Sequence, residues 1–241
     1  MEKWEAKSIH ACDRIITFSE ASADVIKSYY QKDPSKVEVF PIPAYVPENI
    51  LPPKASINKH IGDTLHLLLV GKRFNLRGMD IAIETTRVLN ESGYPTELRI
   101  VGFEGEDQPG VKYLGNFDKE NTNELTAYFD CFNWADLLIH PSRFHAAGIV
   151  ISEAAAFGLP TITNASGGLA TSVLNEITGI VLPQNSPPSA YSESIISLIN
   201  DQQRYQMYRI AARNRFEKEM NWETAGKRLF DIIKEVCPGK P

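Results

Sequence analysis

The chain has 241 residues, of which 43% are hydrophobic and 23% are charged. This length allows one large domain or two small ones, and the composition excludes wholesale disorder, collagen-like repeats and fibrous coiled coils. With 25 basic against 30 acidic residues and a net charge of −5 at pH 7, the chain lacks the basic excess that is typical of nucleic-acid-binding proteins.

Short apolar runs alternate with segments of helical periodicity along the chain. The predicted strands are 14–19, 37–41, 65–71, 97–102, 111–115, 135–141, 160–164 and 179–183. Helices are predicted at 20–30, 79–92, 118–132 (capped by Asp118) and 148–158, with three more within 188–236, and the proline-rich segment 43–60 is a predicted linker. This alternation favours an α/β fold: a Rossmann-like, doubly wound parallel sheet with helices on both faces, followed by extra C-terminal helices.

The cysteines and the N-terminal segment bear on the cellular compartment. Cys12, Cys131 and Cys237 are far apart and form no C-x-x-C pattern, so we expect reduced thiols and neither a disulfide framework nor a zinc site. No apolar run approaches the roughly 18 residues of a membrane span, and Glu2 and Glu5 stand where a signal peptide is apolar. We therefore expect a cytoplasmic protein, peripheral at most to the inner face of the membrane.

A cationic loop follows the first strongly apolar strand. In a doubly wound sheet, ligands bind outside the carboxyl ends of the strands. The loop 71–78 places Lys72, Arg73 and Arg77 between Gly71 and Gly78, in neither a Walker A nor a G-x-G-x-x-G pattern. Cations at that edge suit a diphosphate, and the alternative is a solvated basic loop.

A second candidate segment, 140–158, runs from a strand through a turn of small residues into an apolar helix. Small residues let a ligand approach the backbone, and the free N–H groups of a helix start bind anions. Glu153 lies among apolar residues, so it is either a hydrogen-bond acceptor for a ligand's hydroxyls or a carboxylate favoured by the helix dipole. His145 is either a group that binds a sugar or a loop histidine without a role.

A third segment, 164–168, follows another strand and contains Gly167 and Gly168. Paired glycines permit close approach of the backbone to a ligand, or form a plain tight turn. Other chemistries find little support, because the sequence has no G-x-S-x-G elbow and no H-E-x-x-H pattern.

Taken in order, the segments between 65 and 183 resemble the C-terminal, donor-binding half of the GT-B glycosyltransferases of group 1, a large retaining family also called family 4. GKRFNLRG stands where that family has Gly-Arg/Lys, four residues and Lys/Arg-Gly, and Lys72 and Arg77 keep this spacing. GIVISEAAAFGLPTITNASGG is similar to the family signature, with Glu153 as the second acid of its E-x7-E motif, and TGIVLP closes the pattern.

The resemblance implies roles for individual residues. Lys72 and Arg77 would hold a nucleotide diphosphate, the amides of Gly148 and Ile149 would assist them, and Glu153 would bind ribose hydroxyls. Residues near 111–114 would border the base. The residues assigned to the chemistry are Lys72, Arg77, His145 and Glu153, and those assigned to binding are Gly71, Arg73, Tyr113, Leu114, Ala147, Gly148, Ile149, Gly167 and Gly168.

The resemblance also implies an activity. The family moves a sugar from a nucleotide diphosphate sugar, here UDP or GDP, to an acceptor with retention, and it needs no essential metal or other cofactor. The acceptor would be a glycan or a lipid-linked molecule, in glycan or cell-envelope polysaccharide synthesis. The alternatives are a non-catalytic interaction or regulatory module that has lost the donor site, and another reaction of the same fold, such as that of a phosphorylase or an epimerase.

Three departures from the family pattern shape the expectations. His145 stands where the family has the first acid of E-x7-E, which contacts the donor sugar, and Thr171 stands where it has a glutamate after the paired glycines. The sequence shows no match to the family's acceptor half, so the resemblance leads us to expect a fragment, a truncated product or one of two subunits, with little activity alone. The predicted organisation is a remnant of the acceptor domain (1–35), a linker with its first strand (36–62), the donor-binding domain (63–218) and a C-terminal helix that packs back toward the missing domain (219–241).

Overall fold

The computed structural model describes residues 2–237. Its strands are β1 (Ile15–Thr17), β2 (Val37–Val39), β3 (Leu65–Val70), β4 (Thr96–Val101), β5 (Val111–Tyr113), β6 (Leu137–His140), β7 (Thr161–Asn164) and β8 (Gly179–Leu182). Its α-helices are α1 (Glu2–Ala11), α2 (Glu20–Ser28), α3 (Phe74–Arg77), α4 (Met79–Glu91), α5 (Thr122–Trp134), α6 (Ile149–Ala156), α7 (Leu169–Ser172), α8 (Pro188–Ile199), α9 (Gln202–Glu219) and α10 (Trp222–Val236).

Six parallel strands form the central sheet in the order β5-β4-β3-β6-β7-β8. The chain first builds the sheet from β3 to β5 toward one edge, and then from β6 to β8 toward the other edge, as in a Rossmann sheet. The direction of building therefore reverses between β3 and β6. The crevice outside the carboxyl ends of these two strands is where such a fold binds its ligands. The predicted α/β fold class is confirmed.

The apolar strands bury both of their faces, which explains their continuous hydrophobic runs. Leu68 of β3 contributes to a core beneath α5 and α6, whereas its neighbours Leu67 and Leu69 contribute to the core beneath α4 and α8. Phe129 and Phe157 stack in the first core with ring centroids 5.7 Å apart. Each fully buried side chain of this size stabilises the fold by about 1.5–3 kcal/mol.

A second, two-stranded parallel sheet is formed by β1 and β2 near the N-terminus. Helix α10 contacts this part of the chain, since Arg14 pairs with Glu235 at 2.9 Å and Arg228 pairs with Glu38 at 3.2 Å. The guanidinium of Arg228 also lies 4.1 Å from the ring centroid of Phe40. The predicted domain boundaries stay predictions, and residues 238–241 of the last predicted segment lie outside the described residues.

Local corrections to the predicted elements have simple causes. The four-residue helices α3 and α7 were not predicted, because one turn is too short to show helical periodicity. Asp118 is not the cap of α5. The N-cap is Asn121, whose side chain accepts the N–H groups of Asn123 and Glu124, while Asp118 accepts the N–H of Glu120 in the preceding turn.

None of the helices within residues 2–237 combines the length and the apolar character that crossing a membrane requires.

Candidate functional site

A cleft of about 970 Å³ opens at the carboxyl ends of β3 and β6. Its walls come from the loop after β3, the loop between β6 and α6, and the loop 116–119 that follows β5. The predicted cationic loop 71–78 and the predicted small-residue segment 140–158 therefore meet at the point where the strand order reverses. The predicted site residues that line the cleft are Gly71, Lys72, Arg73, Arg77, His145, Ala147, Gly148, Ile149 and Glu153.

The two loops at the switch point are joined through their backbones. Gly78 adopts a left-handed conformation (φ 67°), and a Cβ added to it would lie 2.0 Å from the carbonyl oxygen of Pro141. The hydroxyl of Ser142 and the amide of Arg143 both donate to the carbonyl of Leu76, at 2.9 and 3.0 Å. Only glycine at position 78 permits this approach, so it fixes the spacing between the two walls of the cleft.

Arg77 joins the cationic wall to the loop after β6. Its Nη1 donates to the carbonyl of Phe144 at 2.7 Å. Burial, together with the charge of Arg73, lowers the pKa of the Arg77 guanidinium from its usual value, although a guanidinium stays charged in proteins. Lys72 and Arg73 are exposed on the same wall. The wall thus holds three cations in a position that favours an anion.

The N-terminus of α6 also lines the cleft. Gly148 is the N-cap with φ 71°, and no side chain caps the helix. Gly148, Ile149 and Val150 all line the cleft. The first N–H groups of a helix have no partner within it. This end of α6 therefore adds hydrogen-bond donors and a positive dipole end to the cleft that holds the three cations.

Glu153 lines the cleft from α6, is buried, and already has two partners. It is 5% exposed, Lys119 Nζ lies 2.9 Å from its Oε1, and the hydroxyl of Tyr128 donates to its Oε2 at 2.6 Å. The Lys119 Nζ also lies 3.8 Å from the ring centroid of Tyr128. Burial first, and then the charge of Glu153, raises the pKa of Tyr128 well above its usual value, so the phenol stays protonated and can donate.

Lys119 and Tyr128 are site residues that the sequence reasoning missed. Lys119 lies in the loop at the carboxyl end of β5. Because ligands bind at this edge of such a sheet, its position could have identified it as a candidate site residue. Tyr128 carried no such signal, because an aromatic residue in an amphipathic helix is ordinarily part of the core.

His145 lies on the cleft wall between Arg77 and a second, fully buried histidine. The ring centroids of His145 and His140 are 5.1 Å apart. Burial lowers the pKa of His145 to about 4, with a further contribution from Arg77. Burial also lowers the pKa of His140 to about 3, assisted by His145 and Arg77. Both rings are therefore neutral at pH 7 in this structure.

Four predicted binding residues are placed beside the cleft and not in its lining. A Cβ on Gly167 or Gly168 would lie 2.2 Å from the carbonyl oxygen of His145 and 2.0 Å from that of Ala146, respectively. These glycines therefore let the loop 164–168 press against the loop before α6. Tyr113 packs near Phe103, with ring centroids 6.4 Å apart, and Leu114 packs against the core.

A six-stranded parallel sheet with helices on both faces and a cleft at its switch point defines a Rossmann-like α/β protein. The sequence model of the family described as "Glycosyl transferases group 1" matches residues 54–215. The chain belongs to this family.

Similar proteins agree with this assignment. The chain is 24% identical to a D-inositol 3-phosphate glycosyltransferase from Xylanimonas cellulosilytica, over 98% of this chain and 60% of that protein. It is 30% identical to a GDP-mannose-dependent monoacylated alpha-(1-6)-phosphatidylinositol monomannoside mannosyltransferase from Corynebacterium glutamicum, over 83% of this chain and 55% of that protein. The chain thus spans little more than half of these relatives.

The fold is also similar to that of the Anabaena protein HepE, which was crystallised with UDP and glucose. The TM-score is 0.66 at 15% identity, over 97% of this chain and 68% of that one. At this level of identity, the likeness shows that the two proteins share a fold.

Proposed function

We propose that this chain is the C-terminal, donor-binding half of a retaining group 1 glycosyltransferase of family 4, which takes its sugar from a UDP- or GDP-sugar. One observation carries the proposal: three cations, the N-terminus of α6 and the buried carboxylate of Glu153 all line one cleft at the switch point. This combination suits a ligand that has an anionic part and a hydroxyl-rich part.

The cationic wall would hold the diphosphate. Lys72 and Arg77 supply positive charge, and the amides of Gly148 and Ile149 supply hydrogen-bond donors. Glu153 would accept hydrogen bonds from the ribose hydroxyls, which requires Lys119 to give up its place at Oε1. The Lys119 side chain is 49% exposed, so it can move into solvent without an uncompensated burial of its charge.

The same wall supports the chemistry of sugar transfer. When the bond between the sugar's anomeric carbon and the phosphate oxygen breaks, its electron pair goes to that oxygen and negative charge builds on the diphosphate. Fixed cations and amide dipoles at that place stabilise the developing charge more than they stabilise the ground state. In this proposal the cationic groups of the chain carry that role, without an essential metal or cofactor.

The acceptor side of the reaction is assigned to a domain outside this sequence. The acceptor would be a glycan or a lipid-linked molecule, and the setting would be glycan or cell-envelope polysaccharide synthesis in the cytoplasm, peripheral at most to the membrane. The names of the relatives support the glycosyltransferase activity in this proposal. The UDP bound to the Anabaena protein of similar fold supports the nucleotide donor.

Calorimetric titration of the chain with UDP and GDP tests the proposal. We expect binding of one of them with a Kd in the micromolar to millimolar range, weakened about five-fold by Lys72→Ala, because an exposed ion pair or phosphate contact is worth about 1 kcal/mol. Lys218→Ala is the matched control: Lys218 is an exposed lysine on α9 that does not line the cleft. Binding of neither nucleotide, or equal affinities for the wild type and Lys72→Ala, would contradict the proposal.

A further inference from the structure

The imidazole of His145 occupies a place in the cleft where a charged group would meet the bound anion. It lines the same cleft as Lys72 and Arg77, and its Nδ1 is buried without a hydrogen-bond partner among the described residues. We propose that His145 takes up one proton from solvent when the donor binds and then contacts the diphosphate as an imidazolium. This inference rests on the proposed function and deepens it, since it couples donor binding to a proton.

The groups that face His145 explain why it is neutral at pH 7. Arg77 faces it from α3, and His140 faces it from β6. The loop 164–168 packs against its backbone through glycines and presents no charged side chain. Glu153 lines the same cleft, but its charge is already paired with Lys119. The nearby charges are thus cationic or already compensated.

A bound diphosphate reverses this balance. A nucleotide sugar brings two negative charges to the wall that holds Arg77, and an opposite charge within about 4–6 Å typically moves a pKa by about 1–3 toward the charged form. The pKa of His145, about 4 in this structure, would then lie at roughly 5–7. The proton adds to Nε2 of the ring, since the buried Nδ1 cannot reach a ligand in the cleft, and the resulting N–H donates to a phosphate oxygen of the leaving group.

His140 is not the proton acceptor in this proposal. It is fully buried, and neither of its ring nitrogens has a hydrogen-bond partner in the described part of the chain. Burial of this kind disfavours a charged ring more strongly than the half-buried position of His145 does. Its role is to pack against His145 and limit the positions of that ring.

Calorimetry with UDP-glucose and GDP-mannose in two buffers of different ionisation enthalpy measures the protons taken up on binding. Nucleotide sugars suit this test because their diphosphate is a diester without an ionisation near neutral pH. For the one that binds, we expect uptake of roughly 0.1–0.9 proton at pH 6.0, as a bound-state pKa of roughly 5–7 gives, falling toward zero at pH 8.0, and an affinity that rises as the pH falls. His145→Gln keeps a polar side chain that cannot be protonated, so its uptake should vanish at both values.

The outcomes separate this inference from the proposed function. Binding of a nucleotide sugar by the wild type without proton uptake at pH 6.0 would overturn the role of His145 and leave the donor site standing. Uptake that persists in His145→Gln would likewise overturn it by assigning the proton to another group. If neither nucleotide sugar binds, both proposals fail.

Discussion

Replacing Gly78 with alanine is expected to lower the free energy of unfolding by about 2–5 kcal/mol. Part of this loss is the left-handed backbone (φ 67°), which costs a residue with a Cβ about 1–2 kcal/mol. The remainder comes from the added methyl group, which would lie 2.0 Å from the carbonyl oxygen of Pro141. Because that oxygen belongs to the backbone, the loops must separate, and overpacking of this kind costs about 1–3 kcal/mol. Urea denaturation followed by circular dichroism measures the loss.

Gly93→Ala is the matched control for this substitution. Gly93 has a similar positive φ of 84°, but a Cβ added there meets nothing within 4 Å. Gly93→Ala should therefore lower the free energy of unfolding only by the backbone contribution, about 1–2 kcal/mol, and keep nucleotide affinity. Equal losses in the two variants would show that the approach of the loops after β3 and β6 does not depend on glycine at 78.

Removing the carboxylate of Glu153 is expected to weaken nucleoside diphosphate binding by roughly 10–100-fold, since hydrogen bonds to a charged group contribute about 1.5–3 kcal/mol. The variant is Glu153→Ala, measured by calorimetry with UDP or GDP. Lys119 is half exposed and can turn to solvent when its partner is lost, so a thermal melt should show that the variant still folds.

A second ligand distinguishes contact with the ribose from a general loss of the site. The wild type should bind the 2′,3′-dideoxy form of the same nucleotide more weakly than the ribonucleotide, whereas Glu153→Ala should bind both alike. Tyr128→Phe, which removes only the phenolic donor to Oε2, should retain most of the preference for the ribonucleotide. An undiminished preference in Glu153→Ala would contradict the assignment of Glu153 to the ribose.

Sequence reasoning reached most of the fold because burial leaves a direct trace in the residue pattern. The runs that became β3 and β6 are apolar on both faces, and strands alternating with helices require parallel crossovers. The same rules placed the loop 71–78 and the turn before α6 at one edge of the sheet, where the structure brings them together.

The interior of the site was less accessible from the sequence, because its partners are distant along the chain. Glu153 could be recognised as an unusual carboxylate, but its contacts with Tyr128 and Lys119 join residues 25 and 34 positions away. Gly167 and Gly168 fitted a ligand-binding turn equally well, yet their missing Cβ atoms make room for the backbone of residues 145 and 146. Local patterns therefore identified which segments meet, and tertiary packing decided which atoms face the cleft.

A crystal structure of the chain with bound UDP tests the central claim most directly. The account predicts the diphosphate within hydrogen-bond distance of Lys72 or Arg77 and of the amides at Gly148 and Ile149. It also predicts the ribose hydroxyls at Glu153, with Lys119 displaced from its present distance of 2.9 Å. A nucleotide bound outside this cleft, or bound in it with the pair between Lys119 and Glu153 intact and the ribose elsewhere, would contradict the account.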